Sequence, residues 1–184
     1  MAFTTTNMES AEFQNLADKL KELADPKVCS RVAFDEALAA VPKFEESERD
    51  LLTRLFILYD TAGESVIQTH VYLAGVGGCL CSGTSTEKLA IACKLYDLVG
   101  TGILQRADFG KILNSINLVT SYFGDPVVSA DEIDRCVYET FQHNPEPSDP
   151  MAIDDAIPHI IGHEVAVSFV RGEGKIRYGR PVAV

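Results

Sequence analysis

Part of this chain is written twice. Leu58-Tyr59-Asp60 recurs as Leu95-Tyr96-Asp97, Gly63 as Gly100, and Val66-Ile67-Gln68 as Ile103-Leu104-Gln105, always at an offset of 37 residues. That period suits one helix–loop–helix unit with its linker, and a unit of this size cannot bury its apolar face alone. A fainter copy begins at Asp25, with Val32 and Glu36 at the eighth and twelfth positions of its loop. A fourth is expected after Asp131, where Ile133, Val137 and Phe141 precede a polar stretch and Ile153. Four units, packed in pairs, follow from this pattern.

The clearest copy spans Ser85 to Asn117. Thr84 and Glu87 have capping-box spacing, and Leu89, Ala92, Cys93 and Tyr96 form an apolar helical face. A twelve-residue loop runs from Asp97 to Asp108. Gly102 falls at its sixth position, Leu104 at its eighth, and aspartates open and close it. At this point the chain resembles an EF-hand. The lead-in Gly83-Thr-Ser-Thr-Glu-Lys-Leu, with Lys94-Leu-Tyr-Asp, is similar to the recoverin, calcineurin-B and calaxin branch of these proteins. The resemblance covers residues 10 to 170. It implies an all-α fold of two lobes, each a pair of EF-hands, with short β pairing between loops. Residues 1–81 would form the first lobe and 82–170 the second, joined by a hinge at Cys81-Ser-Gly-Thr. Residues 171–184 would be a basic tail carrying Arg171, Lys175, Arg177 and Arg180. Calaxin-like proteins are ciliary, so the resemblance also implies a cytoplasmic protein in a flagellar or cytoskeletal setting.

As calcium sites the loops are degenerate. The first, Asp25 to Glu36, has Lys27 and Cys29 at positions three and five and Ser30 in place of the turn glycine. The second, Asp60 to Val71, has Ala62 at position three. Its last position, where one carboxylate normally gives two oxygens, is valine. The fourth reads as carrying a four-residue insertion and three prolines, with Ile157 at the closing position. The third is the metal candidate. Asp97, Thr101 and Asp108 offer side-chain oxygens, Ile103 its carbonyl and Gln105 an oxygen at position nine, whereas Val99 contributes nothing. A missing carboxylate and a shortened last arm weaken binding to a Kd on the order of 10⁻⁴ M or higher, and favour magnesium over calcium.

Other constellations are weaker. His159 and His163 have the i, i+4 spacing that can place two imidazoles on one metal, with His143 or Asp155 nearby. Cys79 and Cys81, two apart, point away from each other on a helix. The five cysteines read as reduced thiols in an intracellular chain. Nothing pairs a nucleophile with a base or cradles a phosphate, so no enzyme is expected. A net charge of −11 disfavours nucleic acid and anionic membranes and favours basic partners. The opening MAFTTTNM lacks a leader pattern, and Ala2 removes the myristoylation signal, so no membrane anchor is expected. The expected function is a non-catalytic adaptor. Its paired hands hold an amphipathic, basic helix of a larger partner, largely without calcium. The alternative is a low-affinity calcium or magnesium sensor acting through the third loop.

Overall fold

Each strand among the described residues is the middle of a loop, so strand pairing identifies which loops are partners. In the computed structural model, which describes residues 8–25, 27–125, 127–146 and 150–166, β1 (Val28–Ser30) pairs antiparallel with β2 (Val66–Gln68). Likewise β3 (Ile103–Leu104) pairs with β4 (Met151–Ala152). The helices around them are α1 (Ser10–Leu23), α2 (Arg31–Ala40), α3 (Glu46–Tyr59), α4 (Thr69–Leu80), α5 (Ser85–Tyr96), α6 (Arg106–Tyr122), α7 (Ala130–Phe141) and α8 (Ile153–Gly162). The described chain is therefore mostly helical with two short antiparallel pairs, as an all-α EF-hand fold requires. Residues 171–184, assigned above to the basic tail, lie outside the described residues.

Strand register corrects two loops. Ile67 and Leu104, the eighth-position residues of loops two and three, face Cys29 and Met151. Cys29, not Val32, is thus the eighth residue of the first loop. Val32 lies in α2 and is 76% exposed. Met151, not Ile153, is the eighth residue of the fourth. Eight residues separate helix end from paired residue in loops two and three (Tyr59 to Ile67, Tyr96 to Leu104). The first loop is shorter, six residues from Leu23 to Cys29, and the fourth is longer, ten from Phe141 to Met151. The insertion is two residues, not four. In every unit the exit helix starts two residues past the paired residue, at Arg31, Thr69, Arg106 and Ile153. That constant sets where α2 and α8 begin, whatever the length of the loop before them.

Helix starts follow local chemistry. Thr84 Oγ1 accepts from Glu87 N–H, and Glu87 accepts from Thr84 N–H at 2.7 Å. Ser129 and Glu132 make the same reciprocal pair for α7. In both, the cap's donors hold the glutamate carboxyl below its usual range. Arg49 of α3 donates to the carbonyls of Leu38 and Val41, closing the C-terminus of α2 before Pro42.

The central helix is α4, buried on nearly every side, as a helix with apolar residues on every face must be. Tyr72, Leu73 and Val76 join the core built by α1–α3, while Ala74 joins the core of α5–α8. Its glycines allow close approach rather than fraying. A Cβ on Gly78 would sit 2.9 Å from Ala92 Cβ of α5 and from Ile116 Cδ1 of α6; one on Gly77 would sit 2.5 Å from Leu95 Cδ1. The expected hinge is itself strapped. Met8 is buried and bridges Cys81, with Met8 N–H on Leu80 O at 3.1 Å and Ser82 N–H on Met8 O at 3.2 Å.

Candidate metal loop and its two tyrosines

The third loop is organised by its first residue. Asp97 follows the end of α5, and its carboxylate accepts from Gly100 N–H at 3.0 Å and Gly102 N–H at 2.7 Å. Those bonds need the chain to fold back tightly, and Gly100 and Gly102 supply it with φ of 73° and 70°. The second loop has the same turn: Asp60 accepts from Glu64 N–H at 3.0 Å and Ser65 N–H at 2.9 Å, with Gly63 at φ 69° and Ser65 at φ 59°. The repeat seen in the sequence is therefore a repeat of backbone conformation.

The remaining candidate ligands are partnered with each other or with their neighbours. Thr101 Oγ1 donates to the Ile103 carbonyl at 3.1 Å. Asp108 Oδ2 accepts from Gln105 N–H at 3.4 Å, starting α6. Asp108 Oδ1 accepts from the Tyr96 hydroxyl at 2.9 Å and lies 3.5 Å from Lys111 Nζ. Val99, where a third carboxylate would stand, is 85% exposed. Calcium asks for six to eight oxygens with a bidentate closing carboxylate. Two carboxylates, one of them engaged by a tyrosine, a lysine and a backbone amide, do not fit that demand. No group of three or more metal-ligating side chains occurs among the described residues.

Tyr96 is a permanent donor. Burial first, and then the neighbouring Asp108, push its hydroxyl pKa far above the ordinary tyrosine value. Its ring is met edge-on by His70 of α4, centroids 4.8 Å apart. Burial, then Lys111, lower the pKa of His70, so the imidazole is neutral near pH 7, and its Nδ1 is buried without a hydrogen-bond partner among the described residues. Tyr59 holds the equivalent place in the second unit but reaches elsewhere. Its hydroxyl lies 2.6 Å from Ser115 Oγ and 3.1 Å from the Ser115 carbonyl, on α6. Ser115 Oγ spends its proton on the Val71 carbonyl at 2.7 Å, which leaves Tyr59 as the donor toward Ser115.

The histidines do not assemble a metal site. His163 caps α8 and its Nε2 pairs with Glu139 at 3.0 Å, while His159 stacks on His143 with ring centroids 4.0 Å apart. The five cysteines are all free thiols. Burial raises every one of them, Cys79 and Cys93 to about 12, so none is a reactive thiolate near neutrality. The corrected register also shows what sequence reading missed. Asp155, not Ile157, closes the fourth loop, four residues past Met151. No sequence signal fixes that frame, because it follows from the pairing of Met151 with Leu104.

No protein-family model matches the chain. It is 24% identical to a recoverin family protein of Dictyostelium discoideum, over 75% of this chain and 65% of that protein. It is also 24% identical to the calcium-binding protein NCSA of the same organism, over 65% of this chain and 62% of that protein. The chain thus spans somewhat under two thirds of the length of these relatives. The similarities support an EF-hand, recoverin-type assignment and indicate no catalytic family. No helix among the described residues is long and apolar enough to cross a membrane.

Proposed function

We propose that the protein is a non-catalytic EF-hand adaptor whose two loop pairs are locked into one body without a bound cation, and which holds a basic amphipathic helix of a larger partner. The observation that carries this reading is the junction of α4 with α5 and α6. Glycines bring the helices within van der Waals reach, and Tyr59 and Val71 grip Ser115 across the boundary between the second and third units. A body already joined this way needs no ion to assemble it, and loops lacking a full oxygen set supply no switch. The acidic balance of the chain suits a cationic partner helix. A cytoskeletal or flagellar partner is consistent with the resemblance to calaxin-like proteins.

A second reading, a low-affinity calcium or magnesium sensor acting through Asp97 and Asp108, is favoured by the calcium-binding name of one relative. Calorimetric titration with calcium, with and without magnesium, separates the two. The adaptor reading expects no heat in the micromolar range, and equal affinity for a basic amphipathic model helix in calcium and in chelator. Micromolar binding that vanishes in Asp97→Ala would overturn it in favour of the sensor.

A further inference from the structure

We propose that the Tyr96 hydroxyl sets the cation affinity of the third loop by withholding Asp108 from it. Tyr96 immediately precedes the loop and Asp108 ends it, so their 2.9 Å hydrogen bond ties the loop's two ends together. The bond is charge-assisted, which makes it one of the stronger kinds. The donor cannot step aside: the ring is buried in the core of α5–α8 and braced edge-on by His70. Aspartate is one methylene shorter than the glutamate of a full site, so Asp108 has less reach with which to serve the tyrosine and an ion together. Tyr96 is thus a positioning residue that acts on the loop through Asp108. The inference concerns the third loop alone and stands apart from the adaptor reading.

The test needs a background in which binding is measurable. Val99→Asp supplies the absent carboxylate at a position so exposed that the fold is undisturbed. In that background, Tyr96→Phe keeps the ring and removes only the hydroxyl. Calcium titration followed calorimetrically is expected to show about three- to fivefold tighter binding with Tyr96→Phe than without it, the size set by the net worth of one partly solvated hydrogen bond. Tyr59→Phe in the same background is expected to leave the affinity unchanged, which separates release of Asp108 from general loosening. Equal affinities with and without the Tyr96 hydroxyl, a matching gain from Tyr59→Phe, or no binding in either Tyr96 variant would overturn the proposal. The affinity of the unaltered chain tests the adaptor reading; the ratio between the variants tests Tyr96. The two can therefore fail separately.

Discussion

The second and third units begin from nearly the same local sequence and put it to different use. In both, a tyrosine ends the entering helix, an aspartate follows it, and that aspartate gathers two loop N–H groups. The units diverge at the closing position. Val71 has no carboxylate, so only its carbonyl is available, and Ser115 of α6 stands between it and Tyr59. In the third unit Asp108 takes the tyrosine hydroxyl directly. One tyrosine therefore binds two units to each other, and its counterpart binds a loop to itself. Asp108 and Ser115 are seven residues apart on α6, two helical turns on one face. The exit helix of the third unit is thus held at both points by tyrosines in equivalent positions.

The broadest way to break this arrangement is alkali, because it acts on both units together. Burial raises the Cys79 and Cys93 thiols to about 12 from an ordinary 9.0, and raises the Tyr59 and Tyr96 hydroxyls as well. A group whose pKa is higher folded than unfolded lends stability that is intact below the unfolded pKa and disappears as pH climbs toward the folded one. The urea midpoint, followed by helical circular dichroism, is therefore expected to hold steady up to pH 9 and fall steeply from there toward 12. A midpoint that stays level to pH 11 would mean these groups are far less buried than described.

Gly75→Ala strikes the join alone. The new Cβ would lie 2.0 Å from Tyr59 Oη, 2.2 Å from Ser115 Oγ and 2.8 Å from the Ser115 carbonyl, so backbone must move. The expected loss is about 3 kcal/mol, or a melting temperature lower by about 6–12 °C. Gly110→Ala on α6 is the control. Nothing lies nearer than Asp134 Oδ1 at 4.0 Å, and a gain of about 0.5 kcal/mol is expected from helix propensity. Removing the hydroxyls one at a time then sharpens the contrast. Tyr59→Phe breaks a buried bond and is expected to cost about 1–2 kcal/mol. Tyr96→Phe is expected to cost under about 1 kcal/mol, because Asp108 keeps Lys111 and solvent. Equal losses in the two variants would erase the distinction between them.

Much of this was legible in the residues. The 37-residue repeat and the capping box at Thr84 can be read from spacing, because each depends on neighbours in sequence. The frames of the first and fourth loops were not. A carboxylate at Asp25 and one at Glu36 mimic a loop of standard length, and only strand register shows that Cys29 faces Ile67. Ile153 mimics a paired residue in the same way, being apolar and close to a helix start. The tyrosine bonds were hidden for a different reason. Tyr59 and Ser115 are 56 residues apart, and no local pattern says which of two equivalent hydroxyls will cross to another unit. The absence of a carboxylate at Val71 was plain, but its consequence depends on where α6 packs.

The smallest expected effect tests whether the two turns are the same turn. Ser65 and Gly102 occupy the sixth position of their loops, at φ of 59° and 70°. A side chain in this left-handed region costs about 1 kcal/mol, and glycine escapes that cost while losing some entropy on folding. Ser65→Gly is therefore expected to raise stability by about 0.5 kcal/mol, read as a small upward shift in urea midpoint with an unchanged slope. Gly102→Ser is expected to lower it by a similar amount, since nothing within 4 Å would obstruct the new Cβ and only the backbone conformation is penalised. If Ser65→Gly instead destabilises, the serine side chain holds its turn by contacts the third loop does not need. The second loop would then have been retained for more than the turn it shares with the third.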